Sequence, residues 1–203
     1  NEGTTQQDIG NLTGWDSDSP DYLPGEQLTL GNVSYDNSGN ETGSNDGLVG
    51  YGGGHAGNVS KHALPAGFTG SDPIWISALM EVGGSGSDSL LWIDNVDYIS
   101  IRNLDPRLRY DGSDQSTPSM NLATDTTYLL IAKVQLDTSG SNDQIDFWLK
   151  SQSDDISSEV VLGPPLITRN SADAFGSTFD QIGVSFGSAG DRIDAIRLSN
   201  EAD

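Results

Sequence analysis

The chain has 203 residues, 34% of them hydrophobic and gathered in recurrent short runs, which argues against a disordered polymer and allows one large domain with a single core. Thirty acidic against nine basic residues give a formal net charge of −21, and that argues against nucleic acid or an anionic membrane as partner, because phosphate binding needs a cationic surface. The absence of cysteine excludes a disulfide framework and thiolate metal sites. The acidity itself has two readings, solubility in a salty or calcium-containing medium and a specific acidic binding face.

No apolar run approaches the roughly 18 residues needed to span a bilayer. The opening NEGTTQQDIGNLTGW has no signal-peptide core, so mature or excised material is expected, with any export signal already removed. Residues 1–13 are polar and read as a loose N-terminal arm. Gly14 and Trp15 open the structured part, followed by the acidic loop DSDSPDYLPGE, whose prolines forbid a long helix. Leu28, Leu30, Val33 and Tyr35 suggest a short strand, and residues 36–47 form a run without a large apolar side chain. That run reads as a long exposed loop, or as a calcium or ligand-facing loop.

Residues 48–65, LVGYGGGHAGNVSKHALP, are the least generic. Gly52, Gly53 and Gly54 let another surface approach the backbone, and Lys61 and His62 follow in one short strand. The segment is either a glycine-softened strand edge or a glycan-contacting rim of Tyr51, His55, Asn58 and Lys61. In DPIWISALMEV, Ile74, Ile76 and Ala78 point one way and Trp75, Ser77 and Leu79 the other. LLWIDNVDYISIRNL predicts two short strands around an Asp-Asn turn, and RLRYDGSDQSTPSM a short strand and a loop.

The most ordered pattern is TTYLLIAKVQLDTSGSNDQIDFWLK, residues 126–150, a hairpin of period two. Its first arm is apolar on both sides, which predicts a sheet covered on both faces and therefore a second layer. SQSDDISSEVVLGPPLITRNSADAF reads as a long excursion, with helical spacing only around 170–176, and FDQIGVSFG and DRIDAIRLS predict two closing strands. At least ten strands, with regular Gly, Asp, Ser and Asn turns, predict an all-β, two-sheet antiparallel β-sandwich occupying 1–203 as one domain. No repeat of 20 to 50 residues is visible, which disfavours a propeller or solenoid.

The initial Gly-Trp, WISALM, TTYLLIAKVQLD, NDQIDFWLK and the closing pair, with Asp194, Ile196 and Arg197 in the last strand, occur in an order that resembles concanavalin A-like (laminin G-like) jelly-roll domains of bacterial exported proteins. The resemblance covers about Trp15 to Ser199 and rests on core-strand patterns. It implies two antiparallel sheets, adjacent N- and C-terminal strands, and a curved face or loop rim that in many relatives binds carbohydrate. The same architecture carries lectins, adhesins, glycosidases and polysaccharide lyases, so function has to be argued from the site.

Retaining glycosidases of that architecture carry E-x-D-x-x-E, because nucleophile and acid must lie about 5 to 5.5 Å apart across the sugar bond. Here Glu2, Glu26, Glu41, Glu81, Glu159 and Glu201 are all more than five positions apart, and the lyase patterns Q-x-H and Y-x-K-x-G-x-Y are absent. His55 or His62 as base with Tyr51 as acid would have to be assembled from one segment. There is no G-x-S-x-G, and GYGGGHAG lacks the following helix of a dinucleotide loop.

Calcium suits the oxygen-rich composition. Three places offer ligands: Asp16, Asp18 and Asp21; Asp137 with Ser139, Asn142 and Asp143; and Asp191 with Asp194. None follows an EF-hand pattern, and for each cluster ordinary turn residues, which favour Asp, Ser and Asn, are the simpler account. The resemblance implies an ion that brings Asp16 or Asp18 near Asp191. Sugar binding needs flat aromatic faces. Trp75 and Trp148 read as core or half-buried, whereas Trp15, Tyr22, Tyr35, Tyr51 and Tyr110 lie in or beside loops. Arg102, Arg107 and Arg109 form the one basic cluster. Alternation sets Arg107 and Arg109 on one face, which suits a carboxylate or sulfate or pairs them with Asp105 and Asp111.

The reading is a secreted or surface-exposed module of a larger protein that binds polysaccharide or cell-surface glycan without catalysis, with calcium as a structural ion. A calcium-dependent adhesion domain and a polysaccharide lyase or glycosidase are the alternatives.

Overall fold

The computed structural model describes residues 7–8, 22–25, 47–50, 60–63, 72–84, 88–93, 98–110, 113–116, 119–137, 143–151, 153–154, 162–171, 179, 181–185 and 191–199. The strands form two antiparallel sheets. The larger, of eight strands, runs in space β12 (Ile167–Ser171), β11 (Asp143–Lys150), β10 (Thr127–Gln135), β5 (Ile74–Glu81), β14 (Arg192–Ser199), β3 (Gly47–Gly50) and β2 (Tyr22–Gly25), with β1 (Gln7–Asp8) also pairing with β14. The smaller, of six, runs β4 (Ser60–Ala63), β13 (Gln181–Ser185), β6 (Asp88–Trp92), β7 (Tyr98–Arg102), β8 (Asp105–Tyr110) and β9 (Ser113–Ser116). This is the two-sheet sandwich that the sequence predicts.

The expected hairpin is β10 with β11, in register from Leu129 opposite Lys150 to Gln135 opposite Gln144. β10 pairs on its other side with β5, so it lies inside the sheet as its two apolar parities require. Ile74, Ile76, Ala78 and Met80 of β5 and Tyr128, Leu130, Ala132 and Val134 of β10 face the other sheet, meeting Leu91, Ile99, Ile101, Leu108, Ile182 and Val184 in one core. The opposite parity has its own, smaller core on the outer face of the large sheet. There Trp75, Leu79, Leu129, Ile131 and Trp148 are closed over by Leu162.

The strap that carries Leu162 is fixed by two bonds: Trp148 Nε1 donates to the Gly163 carbonyl at 3.0 Å and Lys150 Nζ to the Leu162 carbonyl at 2.7 Å. Removing a tryptophan ring from water involves on the order of 200 Å², or as an upper estimate about 5 kcal/mol at 25 cal/mol per Å². A net hydrogen bond contributes about 1 kcal/mol. Burial therefore holds the strap down, and the two bonds set where it lies.

The last strand shows how local sequence resolves into packing. In RIDAIRLS the apolar residues change parity, from Ile193 to Ile196 and Leu198. Pairing with β5 shifts register between Asp194 and Arg197, a bulge that puts one extra residue into β14. All three apolar side chains consequently enter the same core. Beyond the bulge, Leu198 and Arg197 pair with Gln7 and Asp8, so two residues of the polar N-terminal segment belong to the sheet.

Three sequence expectations need correction. Residues 151–175 are not one excursion, because Ile167–Ser171 form β12 along β11. Asn170 and Ser171, expected at the start of a helical stretch, end that strand, with Asn170 opposite Gln144 and Ser171 opposite Asp143. The expected strand and loop over 107–120 is a hairpin, β8 with β9. The strand expected around Leu28 to Tyr35 lies outside the described residues.

Buried acids do structural work at connections. Asp143 accepts the Asp137 amide at 2.8 Å and Asp191 accepts the Gly83 amide at 3.0 Å, both from fully buried positions. Asp105, after a two-residue turn in which Asn103 and Leu104 both have positive φ (51° and 66°), holds the segment that follows β9. A leucine in that conformation is strained by about 1 to 2 kcal/mol. Its side chain packs against the inter-sheet core and its carbonyl accepts the Leu122 amide at 2.8 Å, which offset the strain.

Asp105 Oδ1 accepts the amides of Met120 at 2.7 Å and Asn121 at 3.3 Å, and the Ser119 hydroxyl at 3.0 Å. Burial pushes this carboxyl up, but those bonds and the Arg107 charge together outweigh it and hold the group below the usual carboxylate range. A carboxyl depressed by folding stabilises fully above its unfolded value and loses that contribution as pH falls through its folded value. The stability difference between wild type and Asp105→Asn, measured by urea unfolding, is therefore expected to be full at pH 7 and to shrink steadily on acidification below about pH 4. Separately, Phe147→Ala, at a fully buried site in the inter-sheet core, is expected to lower unfolding free energy by about 3 to 5 kcal/mol in the same assay.

Candidate functional site

The small sheet sends one parity into the sandwich and leaves the other on its outer face. Because Leu91, Ile99, Ile101, Leu108, Ile182 and Val184 are committed inward, Trp92, Tyr98, Ser100, Arg107, Arg109 and Ser185 fall on the outward parity. Register joins them across four paired strands, β13 beside β6 and then β7 and β8 in sequence order. Gly183 of β13 lies opposite Trp92, Trp92 opposite Tyr98, and Tyr98 opposite Arg109. A second row two residues along joins Ser185, Leu90, Ser100, Arg107 and Ser116.

The rings meet edge to face, with centroids 4.9 Å apart and planes at 65°. That is a favoured geometry for aromatic pairs. The glycine opposite Trp92 offers no side chain, and the indole Nε1 donates across it to Ser185 Oγ at 2.9 Å. Arg109 lays its guanidinium carbon 5.7 Å from the centre of the Tyr98 ring. This fixes the charge beside the aromatic pair, since a cation over a ring face is attracted to its quadrupole. Trp92 remains half-buried, whereas Tyr98 is 7% exposed and acts mainly as the wall against which the indole rests.

Polar groups around the pair are incompletely satisfied. Ser100 is fully buried, directly opposite Arg107, and its hydroxyl has no hydrogen-bond partner; the Nε atoms of Arg107 and Arg109 have none either. Buried polar atoms without partners are uncommon in folded proteins, and because other arginine Nε atoms of this chain share that condition, the Ser100 hydroxyl is the distinctive one here.

The second aromatic pair is of another kind. Trp75 and Trp148 stack at 5.9 Å with Lys133 Nζ 5.1 Å from the Trp75 ring, but the strap leaves them only 9% and 3% exposed. They are core, as their strand positions predict.

The structure brings together part of the set of residues singled out in the sequence. Arg107, Arg109 and Tyr110 share β8, and Lys61 on β4 is in register with Gly183, in the same row as Trp92, Tyr98 and Arg109. Tyr22 is not with them, since β2 ends the other sheet, and Asp191 starts β14 in that sheet, its carboxylate engaged with the Gly83 amide. Tyr51, His55, Asn58, Trp15, Asp16 and Asp18 lie outside the described residues. Among the described residues no three His, Asp or Glu side chains come together as metal ligands.

The alternative pairing of Arg107 with Asp105 holds only as an influence of charge, because the Asp105 oxygens are already taken by Ser119, Met120 and Asn121. Trp92, Tyr98, Ser100 and Ser185 escaped the sequence reading. The available signal was parity: Trp92 alternates with Leu91 and Ile93, Tyr98 with Ile99, so both had to face away from the core.

No family model matches the sequence, and no curated protein matches it. Solved structures match the fold. A bifunctional GH43-CE protein of Bacteroides eggerthii superposes with a TM-score of 0.52 at 10% identity over 76% of this chain, which spans only 22% of that protein's length. The galectin LEC-6 of Caenorhabditis elegans covers 68% of this chain and 95% of its own at 10% identity, TM-score 0.42. The carbohydrate-binding module CBM66 of Bacillus subtilis covers 75% and 81% at 13% identity, TM-score 0.32. At such identities the likeness is one of fold, and it agrees with the concanavalin A-like expectation at the level of the sandwich.

Ser185→Ala removes the acceptor of the Trp92 indole. It is expected to cost about 1 kcal/mol in chemical unfolding and to change the near-ultraviolet circular dichroism of the Trp92 and Tyr98 pair while leaving the far-ultraviolet spectrum unchanged.

Proposed function

We propose that the chain is a non-catalytic carbohydrate-binding module and that its ligand lies across the outer face of the small sheet, over Trp92 and beside Arg107 and Arg109. The observation that carries this reading is the Trp92 and Tyr98 pair, set edge to face on paired strands with an arginine fixed over one ring. A sugar offers an apolar C–H face and a ring of hydroxyls. An indole presented by a rigid strand meets the first, and guanidinium donors in a fixed position meet the second. Strands hold these groups with little entropy left to lose on binding.

Export or display at the cell surface, and a place within a larger protein, belong to the same proposal. A chain with no cysteine and 30 acidic residues is suited to a salty, calcium-containing medium. Calcium enters as a structural ion, tested by running each assay with and without chelator.

Affinity gel electrophoresis against a panel of plant, algal and bacterial polysaccharides, followed by titration calorimetry on the one that retards the protein, tests the reading. Trp92→Ala is expected to weaken binding about tenfold or more, since an aromatic face lost from a sugar contact removes on the order of 1.4 kcal/mol. Leu166→Ala, exposed beside the large sheet, is expected to bind as wild type does. Equal binding by the Trp92 variant contradicts the assignment of the face, and steady release of reducing or unsaturated sugar ends contradicts the non-catalytic reading.

A further inference from the structure

Positive charge left without a partner after folding lies on the same face. This chain holds only nine cationic side chains among 30 acids, so each cation is expected to find a carboxylate or carbonyl. On the large sheet Arg192 lies 3.6 Å from Glu81, Lys150 bonds the Leu162 carbonyl, and Arg169 bonds the Thr168 carbonyl at 2.9 Å. Arg107 and Arg109 depart from this. Among the described residues neither guanidinium makes an ion pair or a hydrogen bond, and that distinguishes them, since a buried Nε without a bond is common to other arginines of this chain.

Their placement is cooperative. They stand two residues apart on one strand, on one parity, with Arg109 over Tyr98 and Arg107 opposite the orphaned Ser100 hydroxyl. Lys61 stands in the same cross-strand row as Arg109. Two half-buried guanidiniums without an ion pair or hydrogen bond among the described residues, beside a half-buried indole, suit a planar or tetrahedral oxyanion attached to a sugar, because a guanidinium matches such a group through two parallel N–H bonds.

Resting on the carbohydrate reading, we propose that the ligand is an anionic glycan, in which a sugar bearing a carboxylate or a sulfate ester sits on Arg107 and Arg109 while a neighbouring sugar covers Trp92. The net charge of −21 sharpens this. A densely charged polyanion is repelled by the molecule as a whole, so the face selects a chain whose anionic groups are spaced between neutral sugars.

Matched pairs of glycans separate charge from shape. The full chain is titrated, at an ionic strength of about 0.15 M, where long-range repulsion is screened beyond roughly 8 Å, with pectin of intermediate and of complete methyl esterification, and with κ-carrageenan, in which a sulfated galactose alternates with a neutral sugar, and its desulfated form. The proposal expects at least tenfold tighter binding to the partner with free carboxylates in the first pair or with sulfate in the second, the better pair identifying the anion. In Arg107→Gln and Arg109→Gln the charged-to-neutral affinity ratio is expected to fall toward one, with unfolding midpoints close to wild type confirming that both variants fold.

Equal affinity within each pair, or an unchanged ratio in both variants, overturns the anionic assignment and leaves the carbohydrate reading standing. Binding to no member of either pair, nor to any glycan in the wider panel, overturns both.

Discussion

The structure depends on one constraint: each strand of the sandwich must commit one parity of side chains to the space between the sheets. β5 and β10 alternate without interruption through that space, and their long pairing forms the middle of the large sheet. Once those parities are fixed, every other outward-facing residue is assigned too. A slip of one residue would exchange core and surface along a whole strand, so the register is held tightly. The outer face of the small sheet is thus placed as precisely as the core beneath it.

The two outer faces resolve this constraint differently. On the large sheet the outward parity is as apolar as the inward one, and a strap bearing Leu162 closes it into a second core. On the small sheet the outward parity is mixed, with a half-buried indole, a phenol, two serines and two arginines. An aromatic pair under a strap stabilises the fold. Trp92 differs from Trp75 and Trp148 in remaining half-buried beside donors without partners, which is why the ligand is proposed to lie there.

Much of the fold was legible in the sequence because period-two alternation is a direct consequence of strand geometry. The 126–150 hairpin, the split parity of β5 and the two closing strands could all be read from it. β12 was obscured by the prolines before it and by ITRNS, which has a single strongly apolar residue, Ile167, at an inward position. The bulge in β14 also hid from periodicity, since it is the point where periodicity breaks. The candidate site was legible only in part. Arg107 and Arg109 stood out by charge, but Trp92 and Tyr98 are six residues apart in sequence and become neighbours through the β6–β7 register, which the expected Asp-Asn turn did not by itself fix.

All nine cationic residues lie on described strands, in a chain whose acids outnumber them more than threefold. Positive charge is therefore held in place by the sheets, and two of its bearers are left uncommitted on one face. Backbone amide chemical-shift mapping with a bound oligosaccharide tests this account most directly. The account predicts that the largest changes concentrate on β6, β7, β8 and β13, centred on Trp92, Tyr98 and Arg109. Changes centred instead on the strap and outer face of the large sheet, around Leu162 and Lys133, would contradict it.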